Sequence, residues 1–164
     1  MTATATAPFA PAGVDFKSVS MNLATHRIVL GAIWTGVPLI AGVILTAIFS
    51  LWWLFLVVVP LVLFCWELWL APRQTRALQY AEREDDLLIR WGILFRSMVV
   101  VPYGRMQFVD VTAGPLQRAF GIATVQLHTA AASTDASIEG LTPEVAEQLR
   151  DRLAARGQAR LAGL

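Results

Sequence analysis

Few residues in this 164-residue chain could do covalent or metal chemistry, and their spacing argues against it. The two histidines, His26 and His128, lie far apart. Cys65 is the single cysteine, so neither an internal disulfide framework nor a multi-cysteine metal site can be built. Asp85 and Asp86 sit between two short apolar runs, where a hairpin turn explains them. No P-loop, glycine-rich dinucleotide fingerprint or nucleophile elbow occurs. Glu67 is the one charge inside a long apolar stretch, which makes it a functional candidate by default. It lies near the end of that stretch, where it can snorkel or pair with Arg73 or Arg27. Cys65, flanked by apolar residues, reads as a packing residue. The expectation is a protein that is not an enzyme, with no catalytic residue, metal, cofactor or small-molecule substrate.

The elements that carry these residues follow from composition. The chain is 56% hydrophobic and 15% charged, against roughly 45–50% and about 25% in soluble domains. The excess is local: residues 28–71 hold 35 hydrophobic residues out of 44, and Glu67 is the only charge between Arg27 and Arg73. One bilayer crossing needs about 20 apolar residues, so this stretch predicts two transmembrane helices, 28–48 and 51–71. They require a tight turn near Phe49 and Ser50. Pro38 and Pro60 are expected to kink them. Trp52 and Trp53 would anchor the far interface, and Trp66 and Trp69 the near one. Lys17, Arg27, Arg73 and Arg76 flank the pair while the turn carries no charge. The positive-inside rule then places both termini in the cytoplasm of a multi-pass protein of the cell membrane, with Arg27 and Arg73 as interface anchors. Residues 1–27 read as an N-terminal cytoplasmic segment, partly disordered and without periodicity.

Residues 72–164 have an ordinary globular composition, 44 hydrophobic residues out of 93 with 21 charges. A hairpin is expected from Ala77–Arg83 and Leu87–Trp91, then strands Phe95–Val101, Met106–Ala113, Ile122–Ala130 and Ser137–Glu139. In Met106–Ala113 the alternation puts Met106, Phe108 and Asp110 on one face and Gln107, Val109 and Val111 on the other. Thr142, Pro143 and Glu144 open a helix over 142–156, with Val145, Leu149 and Leu153 as its apolar stripe and Gly157 fraying its last turn. The fold class is α+β: a two-helix transmembrane hairpin, then an antiparallel barrel or sandwich capped by a helix. The net charge of +1 gives no reason to expect nucleic acid.

The run Val101-Pro102-Tyr103-Gly104-Arg105-Met106-Gln107-Phe108-Val109, followed by Gly114-Pro115-Leu116-Gln117-Arg118-Ala119-Phe120-Gly121-Ile122-Ala123-Thr124-Val125, resembles the bacterial pleckstrin-homology family of the YdbS-like type. Tyr80, Asp86, Leu88, Ile89, Gly92, Leu94 and Arg96 fit that family's preceding hairpin, and Met1–Gly13 lie outside the resemblance. It implies a pleckstrin-homology-like fold directly after two membrane helices. Within the motif, Gln107 offers donors and an acceptor for loop carbonyls. Arg118 can fork onto carbonyls or onto a carboxylate such as Asp110. Arg105, Gln107 and Arg118 are therefore either internal braces or contacts for a partner or lipid headgroup. In related folds basic residues of the first hairpin loop hold anionic headgroups. Here the hairpin of the soluble segment carries Glu82, Glu84, Asp85 and Asp86 against Arg83, which repels them. The expected role is a non-catalytic interaction or scaffold module at the cytoplasmic face of the membrane. Its expected partners are the bilayer, other membrane proteins, and copies of itself or related pleckstrin-homology-like proteins. The alternative is a peripheral sensor of anionic lipid.

Overall fold

A computed structural model describes residues 14–49, 51–130 and 135–162. The first thirteen residues of the 1–27 segment expected to be partly disordered, the turn residue Ser50 and most of the polar loop after Ala130 fall outside these residues. The described chain forms two compact units. One runs over Ala24–Arg73; the other joins the residues up to Leu23 to those from Gln74 onward.

The first unit is an apolar helical hairpin. Helix α1 covers Asn22–Ile48, a 3-10 turn covers Leu51–Leu54, and α2 covers Phe55–Ala77. Both helices are long and apolar enough to cross a membrane. At 1.5 Å per residue the 27 residues of α1 extend about 40 Å. Pro38 lies within α1, and Pro60 and Pro72 within α2. The Thr35 and Thr46 hydroxyls donate to the carbonyls of Gly31 and Gly42, each at 2.7 Å, so neither is left unsatisfied in an apolar setting. The two helices meet at small residues. A Cβ on Gly42 would lie 2.7 Å from the Leu56 carbonyl, and one on Gly31 would lie 3.0 Å from the Glu67 carboxyl carbon. Gly42→Leu is therefore expected to force the hairpin apart at a cost of about 1–3 kcal/mol. The check is the melting temperature of the purified full chain, with Gly36→Leu, which meets open space, as the neutral control.

Both helices are longer than their apolar stretch. Helix α1 begins six residues before Ile28, where the Ser20 hydroxyl accepts the Asn22 N–H at 3.2 Å. Helix α2 continues past Pro72 to Ala77, with Arg76 in its last turn, where a cation suits the helix dipole. Ala77 is thus helical rather than the start of a strand.

The second unit holds two antiparallel sheets. The first has the order β1-β2-β3-β4: Lys17–Ser18, Gln79–Glu82, Asp86–Trp91 and Ser97–Pro102. The second has the order β5-β6-β7: Met106–Thr112, Ala123–Thr129 and Ala136–Leu141. The strands form a sandwich of two sheets rather than a closed barrel. Leu87, Ile89 and Val101 from one sheet and Met106, Val125, Leu127 and Ile138 from the other fill the space between them. A short helix, α3 (Pro115–Ala119), links β5 to β6, and α4 (Pro143–Ala162) packs over β5, β6 and the turn Tyr103–Arg105. The buried stripe of α4 is Ala146, Leu149 and Leu153, continued by Gly157. Val145 lies at the stripe's edge, and the helix passes through Gly157 instead of fraying there.

Three local departures have physical causes. A bulge between Met106 and Phe108 shifts the register of β5 by one residue. Met106 therefore turns inward with Val109 and Val111, while Phe108 and Asp110 face outward; a one-residue shift exchanges the faces of a strand. Phe95 and Arg96 belong to the β3–β4 connection and not to a strand. Most important, the chain pairs with the first sheet before it enters α1. Lys17 pairs with Tyr80 and Ser18 with Gln79, so the apolar hairpin is an insertion between β1 and β2, and not a preceding segment.

Candidate interaction surface

The end of the first sheet that carries Glu82 is closed by charge. The Arg152 guanidinium grips the Glu82 carboxylate with two hydrogen bonds, 2.8 and 3.1 Å. Lys17 of β1 and Arg156 of α4 approach the same carboxylate at 3.7 and 3.6 Å. Arg156 also donates to the Tyr103 hydroxyl at 2.8 Å and to the Arg83 carbonyl at 3.1 Å, and Tyr103 donates to that carbonyl at 3.0 Å. Arg160 pairs with Asp85, and Arg83 with Asp86. Burial alone would push the Glu82 carboxyl up, but the Arg152 hydrogen bonds and the charges of Arg152, Lys17 and Arg156 outweigh it. The carboxyl is held below its ordinary range. Burial likewise pushes the Tyr103 hydroxyl up, with Arg156 opposing. The acidic hairpin is thus a lock between the sandwich and α4. It is also the second connection of the first sheet, the first being the apolar hairpin itself.

The outer face of the second sheet is open. The bulge that turns Phe108 outward lets it stack on the His128 ring, centroids 4.2 Å apart. His128 Nδ1 lies 3.3 Å from Asp135 and Nε2 lies 3.9 Å from Asp110. Asp135 also accepts the Thr129 backbone N–H at 2.8 Å. That hydrogen bond, with a smaller contribution from His128, holds the Asp135 carboxyl below its ordinary range. One face of the His128 ring is thus covered by Phe108, and both ring nitrogens face carboxylates. Among the described residues no group of three or more His, Cys, Asp or Glu side chains is placed to hold a metal ion.

The motif residues divide between positions. Arg105 ends the 3-10 turn, is exposed, and its carbonyl accepts the Ala130 N–H at 3.3 Å. Gln107 is exposed at the bulge, and Arg118 is exposed on α3. Arg105 and Gln107 border the Phe108–His128 face along the chain, whereas Arg118 belongs to the β5–β6 connection. Gln117 makes the internal brace: its side-chain carbonyl accepts the Gly114 N–H at 3.0 Å, and its amide donates to Thr124 Oγ1 at 3.3 Å. Its sequence signal is its place three residues after Gly114, where a glutamine can reach back over a helix start.

In the apolar unit, Trp52 is exposed in the 3-10 turn and Trp53 stacks near Phe55 at 6.3 Å. Trp66 and Trp69 lie 5.9 Å apart on α2, and the Arg73 guanidinium sits 3.4 Å over the Trp69 ring. Arg73 is thus engaged by an aromatic face, and the carboxyl end of Glu67 lies against Gly31. Arg27 lies on α1, and Cys65 is exposed on α2.

Two apolar helices with a helix-capped sandwich are the parts that the motif run implied, although the helices are inserted after β1 instead of preceding the domain. A family model described as a bacterial PH domain matches residues 26–157. The chain belongs to the bacterial PH domain family. The UPF0699 transmembrane protein YdbS of Bacillus subtilis (strain 168) is 40% identical to it over 75 residues, 46% of each chain. The chain therefore matches about half the length of that curated relative. No solved structure gives a significant match. In this bacterial PH domain the membrane-compatible hairpin occupies the β1–β2 connection, the acidic hairpin is spent on α4, and the Phe108–His128 face and the β3–β4 turn remain exposed.

Proposed function

We propose that this bacterial PH domain protein is a non-catalytic interaction and scaffold module, anchored in the cell membrane by two crossings, with both ends of the chain in the cytoplasm. One observation carries the reading: β1 and β2, on either side of the apolar hairpin, pair with each other. Strands can pair only on one side of a bilayer, so an even number of crossings suits this sheet. Lys17, Arg27, Arg73 and Arg76 flank the hairpin, which favours the cytoplasmic side. A domain fastened at both strands cannot diffuse away, and its effective concentration toward neighbouring membrane proteins is high. Its partners are then other membrane proteins, related PH-like chains or a second copy, met through the exposed face bearing Phe108 and His128.

The test uses the full chain in its own membrane. A photo-crosslinking residue at position 108 is expected to give discrete adducts with a membrane protein or a second copy, and one at Glu144 to give none. Ser137→Cys, in a Cys65→Ala background, should resist impermeant thiol reagents on intact cells and react after lysis. Labelling on intact cells would overturn the topology. Adducts to lipid alone at position 108, with salt-sensitive binding to phosphatidylglycerol vesicles, would favour an anionic-lipid sensor instead.

A further inference from the structure

The β3–β4 turn, Gly92–Arg96, presents apolar side chains where a soluble domain would carry polar ones. Leu94 is 86% exposed and Phe95 85%. This is not slack chain. Gly92 has φ +95°, and a Cβ there would lie 1.9 Å from the Phe95 carbonyl oxygen, so the turn closes tightly on a glycine and thrusts the two side chains outward. Below the turn Trp91 pairs with Ser97, and Arg90 bonds the Gln79 side chain with its guanidinium 3.9 Å over the Phe16 ring. The base of the tip is braced.

The register says where the tip lies. Gln79 pairs with both Ser18 and Arg90, so the turn projects beyond Gln79 from the sheet end at which β1 leads out to α1 and α2 leads in. The two residues from Arg90 to Gly92 carry the start of the turn about 7 Å past Gln79, and Leu94 and Phe95 lie beyond it. Only four helical residues and Leu78 separate Arg73 from Gln79, about 10 Å of chain. The interfacial layer of a bilayer is itself about 5–8 Å deep. These lengths are commensurate.

We propose that the Gly92–Arg96 turn dips into the interfacial layer of the bilayer that holds the apolar hairpin, seating Leu94 and Phe95 among the lipids with Arg96 at the headgroups. The inference rests on the apolar hairpin being embedded in a membrane. A lipid surface suits this occupant better than a protein does. The feature is a narrow projecting tip, too small to supply the roughly 800 Å² per partner of a stable protein interface. A bilayer accepts a projecting tip, and an arginine beside leucine and phenylalanine matches the charge and polarity profile of its interface. The turn is a third attachment point, independent of the two helices, that fixes how the sandwich stands on the membrane.

The test is depth-dependent quenching on the full chain, in a Cys65→Ala background, reconstituted in vesicles of phosphatidylethanolamine and phosphatidylglycerol. An environment-sensitive fluorophore is placed by Leu94→Cys, Glu84→Cys or Val58→Cys in turn. The label at 94 should emit to the blue and be quenched by lipids carrying a nitroxide near the headgroup. The label at 84 should be neither. The label at 58 should be quenched by nitroxides deep in the acyl chains. If 58 is quenched and 94 is as wet as 84, the proposal fails while the embedded hairpin stands. If 58 is also unquenched, the hairpin reading fails and takes the proposal with it. A label at 94 shielded from aqueous iodide but untouched by lipid nitroxides would mean that a second copy covers the tip, which also overturns it.

Discussion

Gly140→Val should be the most damaging single substitution in the sandwich, lowering the melting temperature of the purified chain by about 10 °C or more. Gly140 lies in β7 with φ +79°, a conformation that costs an L-residue about 1–2 kcal/mol. A Cβ there would also lie 2.7 Å from Leu23 Cβ, and Leu23 is fully buried. Displacing it adds about 1–3 kcal/mol. The total, about 2–5 kcal/mol, is a large share of the roughly 5–15 kcal/mol that holds a domain folded. The site matters beyond stability. The Gly140 carbonyl accepts the Ser20 N–H at 2.8 Å, and Asn22 donates to the Phe120 carbonyl at 3.0 Å. These bonds fasten the start of α1 to β7 and to the connection between α3 and β6. Gly121→Ala is the control, because Gly121 has φ +61° and open space around it. It should show the backbone cost alone. Equal melting of the two variants would show that Leu23 does not press on position 140.

Glu82→Gln should be the next largest loss. The carboxylate side chain is 9% exposed and accepts both hydrogen bonds of Arg152. Hydrogen bonds to charged groups contribute about 1.5–3 kcal/mol when buried. Arg152 is 40% exposed, so solvent screening places the expected loss at the low end, about 1.5 kcal/mol. The pH dependence has a definite sign. Glu82 is held below its unfolded value, so its stabilisation is present above about pH 4 and drains away as the pH falls through the folded value. The native protein should lose stability on that descent more steeply than the glutamine variant. Parallel acid-unfolding curves would remove Glu82 from the lock. A double-mutant cycle with Arg152→Gln should show coupling, since the two side chains share both bonds.

How legible this was depended on the length scale of each signal. The apolar hairpin announced itself through 44 residues with a single charge. The start of α4 followed from Thr142-Pro143-Glu144, because caps are local chemistry. β1 was invisible: Lys17–Ser18 has no periodicity, and its partner lies some sixty positions away across the hairpin. Met106 falls on the opposite face of β5 from the one its alternation suggests, because a bulge leaves no compositional mark. Phe95 looked like strand because it adjoins a β-branched run, yet its carbonyl folds back against Gly92 in a tight turn that leaves no room for a Cβ there. The lock was half visible. The acids of the 82–86 hairpin were plain, and Arg152, Arg156 and Arg160 recur every four residues along one face of α4. Nothing local said that the two would meet. Among the site residues, Arg105, Gln107 and Arg118 stood out by motif, whereas the Phe108–His128 stack is made by the bulge and by pairing of β5 with β6.

The insertion of the hairpin between β1 and β2 also sets the order of events during synthesis. Lys17 and Ser18 leave the ribosome first, but their partners Tyr80 and Gln79 follow only after both apolar helices have been made. At about 5–20 residues per second, β1 waits several seconds for the strand that completes its edge. In that interval the closing loop holds the whole hairpin, and its entropic cost is small only if the helices have already brought their ends together. On the proposed two-crossing topology, a hairpin that stalls halfway leaves β1 and β2 on opposite faces of the bilayer, and the edge of β2 stays unpaired and prone to aggregation. On the proposed topology the sheet closes only when the anchor is in place, which makes the sandwich a readout of membrane integration.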